Sequence, residues 1–137
     1  MIGITSKTTY AVAALYQLGS CEQGKTLKIK DIASSANIPQ KFLEQILLEL
    51  KKKGLLSSIK GAHGGYKLAK PLENIKLKDI VSILENDTFS DMCKTNNGVL
   101  KLFWSDIQAS FNRVFDVPLS EFEKYEEKIN QTLNFSI

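Results

Sequence analysis

The segment Ala36-Asn37-Ile38-Pro39 leaves the chain little choice of fold, because it is all that separates two amphipathic runs. Before it, LKIKDIASSA sets Ile29, Ile32, Ala33 and Ala36 on one helical face; after it, PQKFLEQILLELKKKG does the same with Phe42, Leu43, Ile46, Leu47 and Leu50. So short a link allows only a tight turn. Asn37 is among the few non-glycine residues that tolerate the left-handed conformation such a turn needs. Pro39 suits the first position of the following helix, and Gly54 the residue just past its end. Lys51, Lys52 and Lys53 fall in the last turn, where cations complement the helix dipole. A small residue at the crossing (Ala33), a left-handed residue in the turn (Asn37) and two apolar residues on the second helix (Leu43 and Ile46) meet the packing requirements of a helix-turn-helix. Many helical hairpins share that pattern, so the flanking chain has to decide.

Downstream, LLSSI reads as a short strand and GYKLA as a second, with Tyr66 and Leu68 on one face and a glycine-rich segment between them. Helix, turn, helix and then a hairpin is the order of a winged helix-turn-helix. Upstream, Ala11, Val12, Ala14, Leu15 and Leu18 recur at helical spacing behind Ser6 as N-cap. Pro71 ends the second strand, and LKDIVSILEN forms a further helix that buries Ile80, Val81 and Leu84. The stretch from Asp87 to Gly98 is polar and aperiodic, a loop. Between Val99 and Phe115 the residues Leu100, Phe103, Trp104, Ile107, Phe111, Val114 and Phe115 form a broad apolar stripe that Pro118 interrupts. Such a stripe is either a dimer seam or a face packed on the first helix. A last amphipathic helix, LSEFEKYEEKINQTL, carries an acidic face. The expected fold is mainly α with a small β-hairpin: a winged helix-turn-helix followed by a long C-terminal helix.

A chain of 137 residues with 43% hydrophobic and 24% charged content buries a core without disulfides or metals. No run of about 18 apolar residues is present, so no membrane partner is expected. Tyr10 and Gln17 break the apolar N-terminal stretch and no basic segment precedes it, which disfavours a signal peptide. Cys21 and Cys93 are the two cysteines and lack CxxC spacing, so they are expected to be reduced thiols in a cytoplasmic protein. Charge is unevenly placed. Residues 1–70 carry eleven lysines against Glu22, Asp31, Glu44 and Glu49, a balance of +7; residues 71–137 carry seven basic and eleven acidic residues, a balance of −4. Either the first half meets a polyanion or the asymmetry is chance among solvated side chains.

The segment GAHGGYKL, residues 61–68, holds three of the eight glycines and the single histidine. A phosphate-binding P-loop is excluded, because the GK[ST] ending and following helix are missing. A metal site is excluded as well, since His63 has no partner ligands. No acid–histidine–nucleophile arrangement exists for an enzyme. A hairpin turn and a nucleic-acid contact remain.

The blocks Tyr10-Ala11-Val12, Asp31-Ile32-Ala33, Ile38-Pro39, Phe42-Leu43-Glu44-Gln45, Lys53-Gly54-Leu55 and Gly61-x-x-Gly64-Gly65-Tyr66-x-Leu68-Ala69 together resemble the Rrf-two family of bacterial transcription regulators. The resemblance is close through residue 75 and looser through VSILEND and LFWSDIQASFNRVFDVPLSEF. It implies a homodimer on a pseudo-palindromic operator in double-stranded DNA, with the recognition helix in the major groove and the wing tip in the neighbouring minor groove. It also implies a DNA-binding domain over 1–86, a sensor-loop equivalent at 87–98, and a dimerisation helix plus C-terminal helix over 99–137. Leu100, Phe103, Trp104, Ile107, Phe111 and Val114 would then form the dimer seam. Many members hold an iron–sulfur cluster on three cysteines in that loop, sometimes with a nearby histidine. Here the loop has only Cys93, and Lys101 stands at the histidine position, three residues before Trp104. One thiolate cannot hold a cluster that takes about four protein ligands. No cofactor is expected, and the signal is left to a regulatory protein, a small-molecule effector or thiol oxidation.

On the recognition helix Gln40, Lys41, Glu44 and Leu48 share the face opposite the apolar stripe. Gln40 can pair with adenine, Lys41 with a guanine edge or a phosphate, and Glu44 can accept from cytosine N4, unless Glu44 is simply a solvated acid. Ser6, Lys7, Thr8 and Thr9 offer hydroxyls and amides to a phosphate at the start of the first helix. Lys28, Lys30, Lys51, Lys52, Lys53, Lys60 and Lys67 are phosphate candidates or solvated cations. Gly61, Gly64 and Gly65 permit a tight reversal and close approach to DNA, and His63 at the tip suits a narrow minor groove or is a plain turn residue. The single arginine, Arg113, lies outside this half, so the bidentate guanine contact is missing. An A·T-rich operator is expected, although a genome poor in arginine codons would leave the same gap. Cys93 precedes Lys94, whose ammonium favours a thiolate, and is a candidate redox thiol or an inert surface cysteine. The competing function is a protein-interaction winged-helix adaptor, or a metabolic sensor working mainly through a partner enzyme.

Overall fold

In the computed structural model, which describes residues 3–22, 24–85 and 93–135, Asn37 adopts φ 54° and ψ 46°. That left-handed residue turns the chain from α2 (Ile29–Ala36) into α3 (Gln40–Lys52). The Ile38 N–H donates to Ala33 O at 2.9 Å and satisfies a carbonyl at the end of α2. Pro39 is the N-cap of α3 rather than its first helical residue, one position earlier than expected, and Gly54 ends the helix at φ 81°. Behind the pair lies α1 (Ser6–Gly19), capped by Thr5 instead of Ser6. Its Ala11, Ala14 and Leu15 are buried with Ile32, Leu43, Ile46, Leu47 and Leu50 in one core. Small alanines let the three helices approach closely, and the leucines and isoleucines fill the space between them.

Phe42 is a correction to the expected core stripe, for it is 64% exposed. It lies at the edge of that stripe, seven residues before Glu49, and α1 covers the stripe's centre but leaves this edge open.

The wing is the antiparallel pair β1 (Leu56–Ile59) and β2 (Gly65–Leu68), with Leu56 opposite Leu68 and Ile59 opposite Gly65. Leu27, which the sequence places at the approach to the second helix, adds a one-residue third rung. Its N–H donates to Tyr66 O at 2.9 Å and its carbonyl accepts from Tyr66 N at 2.7 Å. These two bonds fix the wing to the start of α2.

After a 3₁₀ turn at Leu72–Asn74 comes α4 (Leu77–Leu84), which buries Ile80, Val81 and Leu84 as its pattern requires. Of the expected loop, residues 87–92 lie outside the described residues. Asn97 caps α5 (Gly98–Phe115), its Oδ1 accepting from the amides of Val99 at 2.9 Å and Leu100 at 3.2 Å. Beyond α5 the chain doubles back along residues 75–77. Leu77 N donates to Val117 O at 2.9 Å, Leu119 N donates to Ile75 O at 2.8 Å, and Lys76 Nζ meets Asp116 Oδ1 at 2.7 Å. The hydrogen bond between these side chains raises the lysine pKa and lowers that of the aspartate. Leu119 enters the same core as α1 and α3. A second 3₁₀ turn, Leu119–Glu121, leads into α6 (Phe122–Phe135), whose Phe122 ring meets Tyr16 edge-on at 5.0 Å.

Most of the stripe on α5 is open to solvent instead of packed on the first helix. Phe115 is the one residue of α5 that is buried, Phe111 is half-buried, and Leu100, Phe103, Trp104, Ile107 and Val114 are exposed.

Candidate nucleic-acid interface

Because Leu43, Ile46, Leu47 and Leu50 turn α3 inward, the opposite side of the helix is forced outward, and Gln40, Lys41, Glu44, Leu48, Lys51 and Lys52 are all exposed. Lys51 Nζ donates to Ser58 Oγ at 2.6 Å, so the end of α3 is tied to the first wing strand. At the wing tip Lys60, Gly61, Ala62 and His63 are exposed, while Lys67 on β2 is half-buried opposite Ser57. Thr26 Oγ1 donates to the His63 carbonyl at 3.1 Å and holds the tip toward α2. Between them runs a groove of about 450 Å³ lined in part by Lys25, Lys28 and His63. Lys28 and His63, separate candidates in the sequence, therefore share one groove. Lys25 joins them and was missed, because it sits in a polar turn and its pairing with Glu22 at 2.7 Å gives no sequence signal of binding.

Gly64 and Gly65 have a structural role within the wing. A Cβ on Gly64 would strike the Ile59 carbonyl oxygen, and one on Gly65 would strike the Leu27 carbonyl. Gly64 is also buried. The absence of a side chain at both positions is thus required by the chain's own backbone, which shapes the wing. Gly61, exposed at φ 109° with open space around it, keeps its place at the tip.

The start of α1 also differs from expectation. Thr8 is 1% exposed and its hydroxyl donates to Glu85 Oε1 at 2.8 Å, so it is withdrawn from the phosphate candidates. The same oxygen accepts from Thr5 N at 2.9 Å and Thr5 Oγ1 at 2.6 Å. Burial, the largest single influence on the Glu85 carboxyl, pushes its pKa up. The Thr5 and Thr8 bonds and the Lys7 charge outweigh burial and hold the pKa below the ordinary value. Lys7 itself pairs with Glu49 at 3.0 Å. Ser6 and Thr9 remain exposed, with the Thr9 hydroxyl donating to Ser6 O at 2.9 Å.

The thiols do not fit a cluster. Cys21 follows α1 and Cys93 precedes α5, both half-buried, and Cys93 Sγ lies 3.4 Å from Thr95 O. Among the described residues no three histidine, cysteine or acidic side chains converge as metal ligands. Two thiols on separate segments and an imidazole on the wing are a donor set that does not suit an iron–sulfur group. No helix of the described residues is long and apolar enough to cross a membrane.

Known proteins share this arrangement. The Rrf2 family model, described as an iron-dependent transcriptional regulator, matches residues 4–118. Over 81 residues the chain is 38% identical to an rrf2-like HTH-type transcriptional regulator of Rhodobacter capsulatus, covering 57% of this chain and 54% of that one. Over 95 residues it is 30% identical to IscR of Escherichia coli, covering 69% and 59%. The chain thus spans little more than half the length of these curated relatives. CymR of B. subtilis, described as its global cysteine regulator, superposes with a TM-score of 0.80 at 27% identity, over 91% of this chain and 98% of that one. IscR of T. potens gives 0.77 at 30% identity, over 93% and 90%. With its helix-turn-helix, wing and family match in agreement, the chain belongs to the Rrf2 family of winged-helix, DNA-binding transcriptional regulators.

Proposed function

We propose that the chain acts as a homodimer on a pseudo-palindromic, A·T-rich operator, with α3 in the major groove and the wing tip in the adjacent minor groove. The observation that carries this reading is the division of exposed groups between different elements. Lysines and polar side chains occupy α3 and the wing, whereas Leu100, Phe103, Trp104, Ile107 and Val114 leave an apolar stripe open on α5. A contiguous apolar stripe on a single helix is what a two-fold, self-complementary interface buries. Joining two copies there gives two reading heads, and half-sites about one helical turn apart or a multiple of it. Lys28, Lys41, Lys51, Lys52 and Lys60 anchor phosphates, and base discrimination falls to Gln40, Lys41 and Glu44 together with minor-groove width. The chain does this without an iron–sulfur cluster; its signal comes from an effector, a partner protein or oxidation at Cys93.

The test is selection of binding sites by the purified protein from random duplexes, followed by footprinting. The expected result is an A·T-rich inverted repeat protected by two chains. A G·C-rich site with strong guanine dependence would sink the A·T preference, and absence of any enriched sequence would sink operator binding.

A further inference from the structure

Leu48 lies near the centre of the outer face of α3, outside the hydrophobic core. Its side chain is 49% exposed, and Glu44, Lys51 and Lys52, one turn to either side, are exposed with it. The core takes Leu43, Ile46, Leu47 and Leu50 from this helix and closes without Leu48. Other large apolar side chains exposed on these elements occupy different positions. Ile59 ends β1, and Phe42 lies in the helical row of Glu49, about a third of a turn around the helix from Leu48.

Resting on the operator-binding reading above, we propose that Leu48 reads sequence by packing on the 5-methyl group of a thymine in the major groove. The base edges there present hydrogen-bonding groups and one apolar group, the thymine methyl. Gln40, Lys41 and Glu44 can address the polar groups; Leu48 can neither donate nor accept. The lysines of the last turn hold the phosphates, and Glu44 keeps phosphates away from the centre of the face. A leucine enclosed in this way discriminates only by apolar contact, and the single apolar feature within its reach is that methyl. This gives A·T preference a direct, major-groove component beside groove width.

The test uses the selected operator with each thymine replaced in turn by deoxyuridine, which lacks only the methyl group. Affinity is measured for the wild-type chain and for Leu48→Ala, whose thermal melting serves as the folding control. At one thymine in each half-site, loss of the methyl is expected to weaken wild-type binding about fourfold, the effect of one buried methyl group. Leu48→Ala is expected to ignore that replacement while matching the wild type at every other thymine. Wild-type indifference at all thymines overturns the assignment, and so does an unchanged response in the variant; in both cases the protein still binds its operator. Failure to select any duplex overturns the operator reading itself, and this assignment with it.

Discussion

One carboxylate, that of Glu85, joins the end of α4 to the start of α1 by accepting from the Thr5 amide, the Thr5 hydroxyl and the Thr8 hydroxyl. A carboxyl held below its ordinary 4.5 in the folded chain contributes stability above that pH, and the contribution is lost as pH falls through the lower folded value. Glu85→Ala is therefore expected to cost about 2 kcal/mol in urea unfolding at neutral pH, chiefly because the buried Thr8 hydroxyl loses its acceptor. The gap between variant and wild type should narrow on acidification below 4.5; a gap that stays constant with pH would contradict the assignment. The sequence marks residues 6–9 as polar and helix-initiating, and that much is correct. It is silent about Glu85, since the partners stand 80 positions apart and no periodicity links them.

The wing shows what an element owes to particular residues. Gly65 has φ 149° and its missing Cβ admits the Leu27 carbonyl, whereas Gly61 has φ 109° with open space around it. Gly61→Ala is expected to cost about 1 kcal/mol from backbone strain alone. Gly65→Ala adds a clash and should cost about 3 kcal/mol, with faster amide exchange at Leu27 and Tyr66 as the Leu27 rung opens. Equal costs at the two sites would disprove the role given to Leu27. Local chemistry made the hairpin, the Asn37 turn and the Gly54 stop readable, because each depends on residues adjacent in sequence. The Leu27 rung was not readable, since a single rung has no period. Phe42 was misplaced for a related reason: spacing defines a helical stripe, but whether its edge is covered depends on which other element arrives there.

At the level of the whole molecule most of the stripe on α5 is left uncovered by the described residues, and the proposed homodimer assigns its covering to a second copy of the chain. Ile107→Glu sets a charge in the middle of that stripe and is expected to give a monomer by sedimentation, with operator affinity reduced at least tenfold through loss of the paired half-sites. A variant that remains dimeric would place the interface elsewhere. Raising salt from 50 to 200 mM should weaken wild-type binding by about a thousandfold if roughly six phosphates are engaged. Protein isolated without oxygen is expected to carry neither iron nor sulfide in stoichiometric amount and to bind the operator equally before and after chelation. The sequence showed that the stripe existed but left its partner open, because an amphipathic pattern states that a face is buried without saying by what. The segment that doubles back after α5 adds a mechanical consequence. Asp116, Val117 and Leu119 pin the end of α5 to residues 75–77, whereas residues 98–107 are exposed throughout. The helix is therefore a lever with its fulcrum at Asp116, about 27 Å long, and a tilt of about 5° swings the far end by about 2 Å. In the proposed homodimer joined along α5, a swing of that size would change the separation of the two reading heads by a comparable distance.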